Sequence, residues 1–243
     1  MEWFKTWFNS PYYHILYKNR DYKEAEAFLT LLLEELQLPS EAHIIDLACG
    51  KGRHSVFLSR LGFKVLGLDL SKESILADKA YEHQDLHFKV HDMRDPIESE
   101  PVDAVFNLFT SFGYFNDPQD DKKVFESVSK VLKPGGYFVL DFLNKEQVIH
   151  SLTSKSEEKR DDLVFQIEKR IEEGAVVKEI RFEDKGKPYF FFERVTLHSL
   201  DYIESLANEY GLVREKIYGD YNLNPYDEMK SPRCISVFRK STL

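Results

Sequence analysis

The residues best suited to chemistry form the run Asp46-Leu47-Ala48-Cys49-Gly50-Lys51-Gly52, between a short apolar segment, His43 to Leu47, and a helical one, Gly52 to Leu61. Glycines at 50 and 52 let backbone approach a ligand where a Cβ would clash. Asp69 closes the next apolar segment, and a carboxylate at such a strand end can accept two hydrogen bonds from ribose hydroxyls. A dinucleotide fingerprint would place glycine or alanine at position 55, where this chain has Ser55. It would also avoid Asp46, because a carboxylate is poorly matched to a nearby pyrophosphate. An acid there suits a cationic ammonium or hydrogen bonds within the loop, so an aminoacyl-sulfonium ligand fits the electrostatics better than NAD.

The elements that must position these residues alternate along the chain. Residues 22 to 37 carry Ala25, Phe28, Leu29, Leu32 and Leu36 at helical spacing, with Pro39 beyond. Strands are expected at His43 to Leu47, Phe63 to Asp69, Leu86 to Val90, Val102 to Asn107 and Tyr137 to Phe142. Helices are expected between them: Gly52 to Leu61, a segment capped by Ser71 and running to Tyr81, and Gln119 to Leu132, stopped by Lys133-Pro134-Gly135-Gly136. Strands apolar on both faces and separated by single helices predict a parallel sheet covered on both sides, with ligands at the carboxyl ends.

After residue 145 the pattern changes to alternation. Leu163, Phe165, Ile167 and Ile171 precede a Glu173-Gly174 turn; Ile180 and Phe182 precede Lys185-Gly186-Lys187-Pro188 and a strand from Tyr189 to Leu197. This predicts an antiparallel meander over 145–197, inserted into one α/β domain spanning 1–243 with a helical cap over 1–40. A helix from Leu200 to Tyr210 and strands at Val213 to Tyr218 and Cys234 to Arg239 complete a seven-stranded, mostly parallel, doubly wound sheet.

Composition narrows the function. The net charge of −9 argues against general nucleic-acid binding, which draws on Lys and Arg neutralising phosphates. Two cysteines, Cys49 and Cys234, make no disulfide framework and suit a reducing cytoplasm. Cys49, inside the glycine loop, has no nearby Cys or His at metal-ligand spacing, so it reads as a small packing residue and no metal site is expected. Met1 to Arg20 lacks the unbroken apolar core of a leader, and no run is long enough to insert in a membrane.

Taken in order, Asp46 to Gly52, Leu68-Asp69-Leu70-Ser71, His91-Asp92-Met93-Arg94, Asp103 to Asn107 and Lys133-Pro134-Gly135-Gly136 make the chain resemble the class I S-adenosylmethionine-dependent methyltransferases, which share a Rossmann-like fold. The resemblance implies that backbone around Ala48, Gly50 and Gly52 lines the methionine moiety, with Asp46 anchoring the loop or the ammonium. It implies that Asp69 binds the ribose hydroxyls, Leu70 packs on adenine, Asp92 accepts from the adenine amino group and Met93 backbone meets the ring. Asn107 would contact the methionine end through its carbonyl. The implied cofactor is S-adenosylmethionine, and the implied reaction is in-line methyl transfer to an acceptor.

Other residues have two readings. His54 opens a helix and either caps it or touches the cofactor. Tyr12-Tyr13-His14-Ile15-Leu16-Tyr17, bracketed by Pro11 and Asp21, is either a packed helix or a lid placing Tyr13 or Tyr17 over the sulfonium. Ser111-Phe112-Gly113-Tyr114-Phe115 either plugs the sheet end or forms an acceptor wall. If the acceptor must lose a proton, the candidate bases are Tyr114 and His14, then His198 and Tyr221. The strand-four loop, Asn107-Leu108-Phe109-Thr110, lacks the Asn/Asp-Pro-Pro-aromatic run of many base-amino methyltransferases. A small-molecule acceptor is therefore expected. Three roles are open for the insertion: acceptor cover, an oligomer interface such as that of a homodimer, or packing alone. A non-catalytic S-adenosylmethionine-binding module and a nicotinamide-dependent oxidoreductase are the rival classes.

Overall fold

The computed structural model describes residues 2–18 and 22–242; Met1, Arg20 and Asp21, used above as bounds of the aromatic segment, lie outside them. Two short helices, α1 (Trp3–Phe8) and α2 (Pro11–Leu16), come first, followed by α3 (Tyr22–Leu36). Pro11 sits at the first turn of α2, where its missing N–H costs nothing, and the Ser10 hydroxyl accepts from the Tyr12 N–H.

The strands β1 (His43–Leu47), β2 (Lys64–Asp69), β3 (Leu86–Val90), β4 (Val102–Asn107) and β5 (Leu132–Leu143) are parallel; β10 (Leu212–Tyr218) and β11 (Arg233–Lys240) join antiparallel. Their order is β10-β11-β5-β4-β1-β2-β3, so the chain reverses direction across the sheet between β1 and β4. That switch point is where a doubly wound sheet opens a crevice for ligands. Helices α3, α4 (Arg53–Arg60) and α5 (Lys72–Asp78) bury Phe28, Leu29, Leu32, Leu58 and Ile75 against one face. The other face takes Val124, Phe125 and Val128 from α6 (Pro118–Val131) and Ile203, Leu206 and Ala207 from α8 (Leu200–Glu209).

The fifth strand differs from expectation. It begins at Leu132, so Lys133-Pro134-Gly135-Gly136 does not precede the strand but lies within it. Leu132 already pairs with Val102, and pairing then skips to Tyr137 opposite Ala104. Gly135 at φ +78° lets the bulge form.

The insertion is a four-stranded antiparallel sheet, β6 (Lys155–Arg160), β7 (Leu163–Glu172), β8 (Ala175–Asp184) and β9 (Lys187–Thr196), in that order. Helix α7 (Lys145–Ser151) precedes it, and neither α7 nor β6 is foreseen by the sequence pattern. β6 reads Lys-Ser-Glu-Glu-Lys-Arg, a charged edge strand with no apolar alternation. α7 buries no side chain. Leu163, Phe165, Ile167, Ile180 and Phe182 pack with Trp7 and Leu16 into a third core, separate from the two that flank the main sheet; Ile171, beyond it, is exposed. Tyr12 packs on Phe182 and Tyr189, and the Trp7 indole N–H donates to Glu193 at 2.7 Å. The N-terminal helices and the insertion therefore stand or fall together.

Trp7→Ala should remove roughly 3–5 kcal/mol from this third layer. Hydrogen exchange should quicken in β7 to β9 and stay slow in β1 to β5; equal acceleration in both sheets would contradict an independent layer.

Candidate active site

A cavity of about 780 Å³ opens at the carboxyl ends of the parallel strands, roofed by the N-terminal helices and the inner face of the insertion. Its floor is the loop after β1. Ala48, Gly50 and Gly52 all have left-handed backbone, with φ of 62°, 58° and 61°. At Gly52 a Cβ would lie 2.7 Å from the Phe88 ring, so the helix start can sit against the sheet only without a side chain. Asp69 fixes the loop: one carboxylate oxygen accepts from the Gly50 N–H at 2.8 Å, the other from the Ser71 N–H at 2.7 Å. Each oxygen keeps capacity to accept a further hydrogen bond, and the residue lines the cavity.

Asp46 points away from the cavity, accepting from the Ser55 hydroxyl at 2.6 Å. This gives Ser55 its reason to replace the glycine or alanine of a dinucleotide fingerprint. Behind the loop, Asp46, Asp69 and Asp78 gather. Burial raises all three; mutual repulsion adds to it for Asp46 and Asp78, bringing Asp46 to about 6 and Asp78 to about 7. Three acids under a glycine turn repel a pyrophosphate and attract a cation.

Asp92 and Met93 reach the cavity after β3. The Asp92 carboxylate is held by Arg94, whose Nε donates to one oxygen at 2.9 Å and whose terminal nitrogen donates to the other at 2.6 Å. Burial works against ionisation of Asp92, but the Arg94 hydrogen bonds and charge keep its pKa below the ordinary value. Arg94 also bonds Glu2 and Asp120, tying α1 to α6. His91 lines the same wall, and its Nε2 is buried with no hydrogen-bond partner among the described residues.

The loop after β4 is strained. Phe109 and Thr110 are consecutive left-handed residues, at φ 58° and 62°, and a clamp holds them there. Asp141, fully buried at the end of β5, accepts from the Phe109 N–H at 2.7 Å, Arg233 Nε at 2.8 Å and the Tyr221 hydroxyl at 3.1 Å. Arg233 also donates to the Thr110 hydroxyl at 2.8 Å. The clamp aims the next residues inward. At Gly113, φ +80°, a Cβ would sit 3.0 Å from the Thr196 carbonyl oxygen, and the Thr196 N–H donates to Gly113 O at 2.8 Å. The end of β9 is thereby pinned to the site. Tyr114 lies in an aromatic wall, its ring 5.3 Å from Trp3 and 5.6 Å from Phe8, and its hydroxyl donates to Thr110 O at 2.5 Å.

Of the residues expected to bind cofactor, the structure brings Ala48, Gly50, Asp69, Leu70, Asp92, Met93, Tyr13, Tyr17 and His54 to the cavity surface. Asp46, Gly52 and Asn107 stand behind it. The Asn107 amide donates to Leu47 O at 3.2 Å, bracing the floor, while its Oδ1 is buried without a partner among the described residues. His54 is buried, stacked 5.0 Å from the Phe109 ring. His14 faces the cavity, where burial, then the Lys51 charge, lowers its pKa to about 4. Tyr221 lines the cavity with its hydroxyl committed to Asp141, and burial, then that carboxylate, raises its pKa. His198 lies outside the cavity, stacked 4.6 Å from Tyr202. Sequence reasoning passed over Asp78, Asp141 and Arg233. An acid on the buried face of a helix and another inside an apolar strand were the available signals.

The family described as Methyltransferase domain matches residues 38–196, more than half of the chain. The chain belongs to this family, the class I S-adenosylmethionine-dependent methyltransferases. It is 38% identical over 110 residues to the "Putative methyltransferase YqeM" of Bacillus subtilis, 44% of each chain. It is 28% identical over 211 residues to a glycine/sarcosine N-methyltransferase of Aphanothece halophytica, 83% of this chain and 76% of that one. The crystal structure of an S-adenosylmethionine-dependent methyltransferase from Clostridium acetobutylicum superposes with a TM-score of 0.80 at 22% identity, covering 95% of this chain and 96% of the other. That likeness establishes the fold. Several relatives are aligned over about half of their own length: 44%, 40% and 52%.

The cavity fits S-adenosylmethionine. Asp69 offers acceptors for two hydroxyls, Leu70 and Met93 offer apolar faces for a purine, and the buried acids favour a ligand carrying ammonium and sulfonium charge. Raising the pH from 5.5 to 8 ionises Asp46 and Asp78. It should therefore strengthen binding of S-adenosylmethionine relative to S-adenosylhomocysteine by roughly three- to tenfold, and Asp78→Asn should reduce that dependence to the part that Asp46 supplies. Because the folded pKa of Asp78 is raised, its contribution to stability is present at low pH and lost as pH climbs through about 7. Wild type should thus lose stability relative to Asp78→Asn between pH 5 and 8 in urea titrations; the opposite trend would contradict the raised pKa.

Proposed function

We propose that this chain transfers the methyl group of S-adenosylmethionine to a small-molecule acceptor enclosed between the aromatic wall, the N-terminal helices and the insertion. The observation that carries this is the shape of the cavity. It runs from the Ala48–Gly50 floor to the wall of Trp3, Phe8 and Tyr114 under a roof, and its volume is that of a small-ligand site. When bound, the cofactor supplies an electrophilic methyl group on a sulfonium. The protein's part is to hold, orient and exclude water, from which much of the rate can come. Asp69 and the floor hold the cofactor; the clamped Phe109-Thr110 turn orients the wall; the insertion and α1–α2 cover the site.

A nitrogen acceptor is favoured. Relatives are named as a dTDP-3-amino-3,4,6-trideoxy-alpha-D-glucopyranose N,N-dimethyltransferase and a glycine/sarcosine N-methyltransferase, and the aromatic wall suits the positive charge that develops on a nitrogen as it is methylated. His14, its pKa lowered to about 4 by burial and then the Lys51 charge, is a weak proton acceptor, so a nitrogen acceptor would react as its free amine, while the Tyr114 hydroxyl, bonded to Thr110 O, positions. No helix among the described residues is long and apolar enough to cross a membrane. The two buried free thiols, Cys49 and Cys234, fit a reducing cytoplasm.

Production of S-adenosylhomocysteine on incubation with a panel of amino acids and amino sugars tests the proposal. Tyr114→Phe should lower turnover by roughly tenfold or more while leaving cofactor affinity within a factor of two. Unchanged turnover would remove Tyr114 from the acceptor wall.

A further inference from the structure

The roof carries an arrangement that neither the cofactor nor the fold requires. In the ladder between β7 and β8, Lys169 stands directly opposite Lys178, and in the ladder between β8 and β9 Lys178 stands opposite Glu193. Ile167 and Ile180, the pair two residues along, point into the core beneath Trp7 and Leu16. By strand alternation the lysines share that inward face, and both line the cavity. Like charges directly opposite each other destabilise a ladder, and cations facing a site out of bulk water need a counter-charge.

The carboxylate that the strand register sets beside the pair is Glu193, and it is largely committed. Glu193 Oε1 accepts from the Tyr17 hydroxyl at 2.6 Å and from the Trp7 indole N–H at 2.7 Å, while Oε2 lies 3.9 Å from the Lys178 ammonium. Lys178 donates to the Tyr17 hydroxyl at 2.5 Å, so its position is set by the N-terminal cap. Lys169 forms no ion pair with any described residue. Nearby Lys18, also on the cavity wall, is already paired with Asp161. Lys169 thus lines the cavity with no ion pair among the described residues, beside a Lys178 that Tyr17 and Glu193 hold in place, on the roof opposite the floor acids.

We propose that Lys169 and Lys178 form an anion subsite that grips a carboxylate or phosphate of the methyl acceptor. The acceptor is then a small molecule bearing its nucleophile at one end and an anionic group at the other. The floor, negative through Asp46, Asp69 and Asp78, holds the cationic cofactor; the roof, positive through the lysine pair, sets the acceptor's direction. Opposite charge at the two ends excludes an acceptor bound the wrong way round. The inference rests on the cavity serving both cofactor and acceptor.

The test titrates the full-length protein, at constant ionic strength and with or without S-adenosylhomocysteine, with inorganic phosphate and separately with acetate. Saturable 1:1 binding of at least one anion is expected, weakened about tenfold or more by Lys169→Met and retained within about threefold by Lys169→Arg. S-adenosylhomocysteine affinity should be the same in all three proteins. Whichever of phosphate and acetate binds more tightly identifies the acceptor's anionic group. Binding of neither anion, or anion affinity indifferent to Lys169→Met, overturns the subsite while leaving the cofactor assignment intact. Anion binding that depends on Lys169 in a protein that fails to bind S-adenosylhomocysteine would keep the subsite and remove the cofactor assignment.

Discussion

Every parallel strand must leave its ladder at the carboxyl end, and the backbone N–H groups freed there need acceptors before a loop can hold one shape. In this chain the acceptors at three of those ends are aspartates. Asp69 closes β2 and takes the N–H groups of Gly50 and Ser71. Asp141, near the end of β5, takes that of Phe109 and anchors Arg233 and Tyr221. Asp92, just past β3, takes that of Arg94 along with its guanidinium. The loops over the crevice are therefore fixed to the sheet by carboxylates, two of them neutralised by Arg233 and Arg94 and one, Asp69, left without a cationic side-chain partner among the described residues. At Asp69 positioning and electrostatics come from the same atoms.

This dual use separates the cofactors that a glycine turn could serve. A dinucleotide needs an electropositive turn for its pyrophosphate, whereas here three acids, Asp46, Asp69 and Asp78, lie beneath the loop and can only add negative charge as they ionise. The charge suits a ligand with ammonium and sulfonium groups. Left-handed Phe109 and Thr110 show the cost of the arrangement: backbone strain held by a fully buried Asp141 paired with Arg233. Removing one partner of such a pair leaves the other buried and uncompensated.

Much of this was legible in the sequence because it is local. The glycine turn, Asp69 at a strand end and Ser71 as a helix cap each depend on a few neighbouring residues, and the βα alternation fixes which sheet edge they share. Other features were hidden because their cause is not local. β6 has no apolar residue and becomes a strand only by pairing with β7. The bulge that carries β5 back to Leu132 depends on register with β4. Asp141 and Arg233 are 92 residues apart and meet only because β11 returns beside β5. Lys169 and Lys178 look like ordinary solvent-facing charges until the hairpin register sets them face to face over the cavity.

The most direct test of the floor's assignment is calorimetric titration of wild type and Asp69→Ala with S-adenosylmethionine, S-adenosylhomocysteine and NADH, alongside urea unfolding of both proteins. Wild type is expected to bind one equivalent of either sulfur ligand and no NADH. Asp69→Ala should still unfold cooperatively yet bind neither. Binding of NADH by wild type, or full S-adenosylhomocysteine affinity in Asp69→Ala, would contradict the assignment.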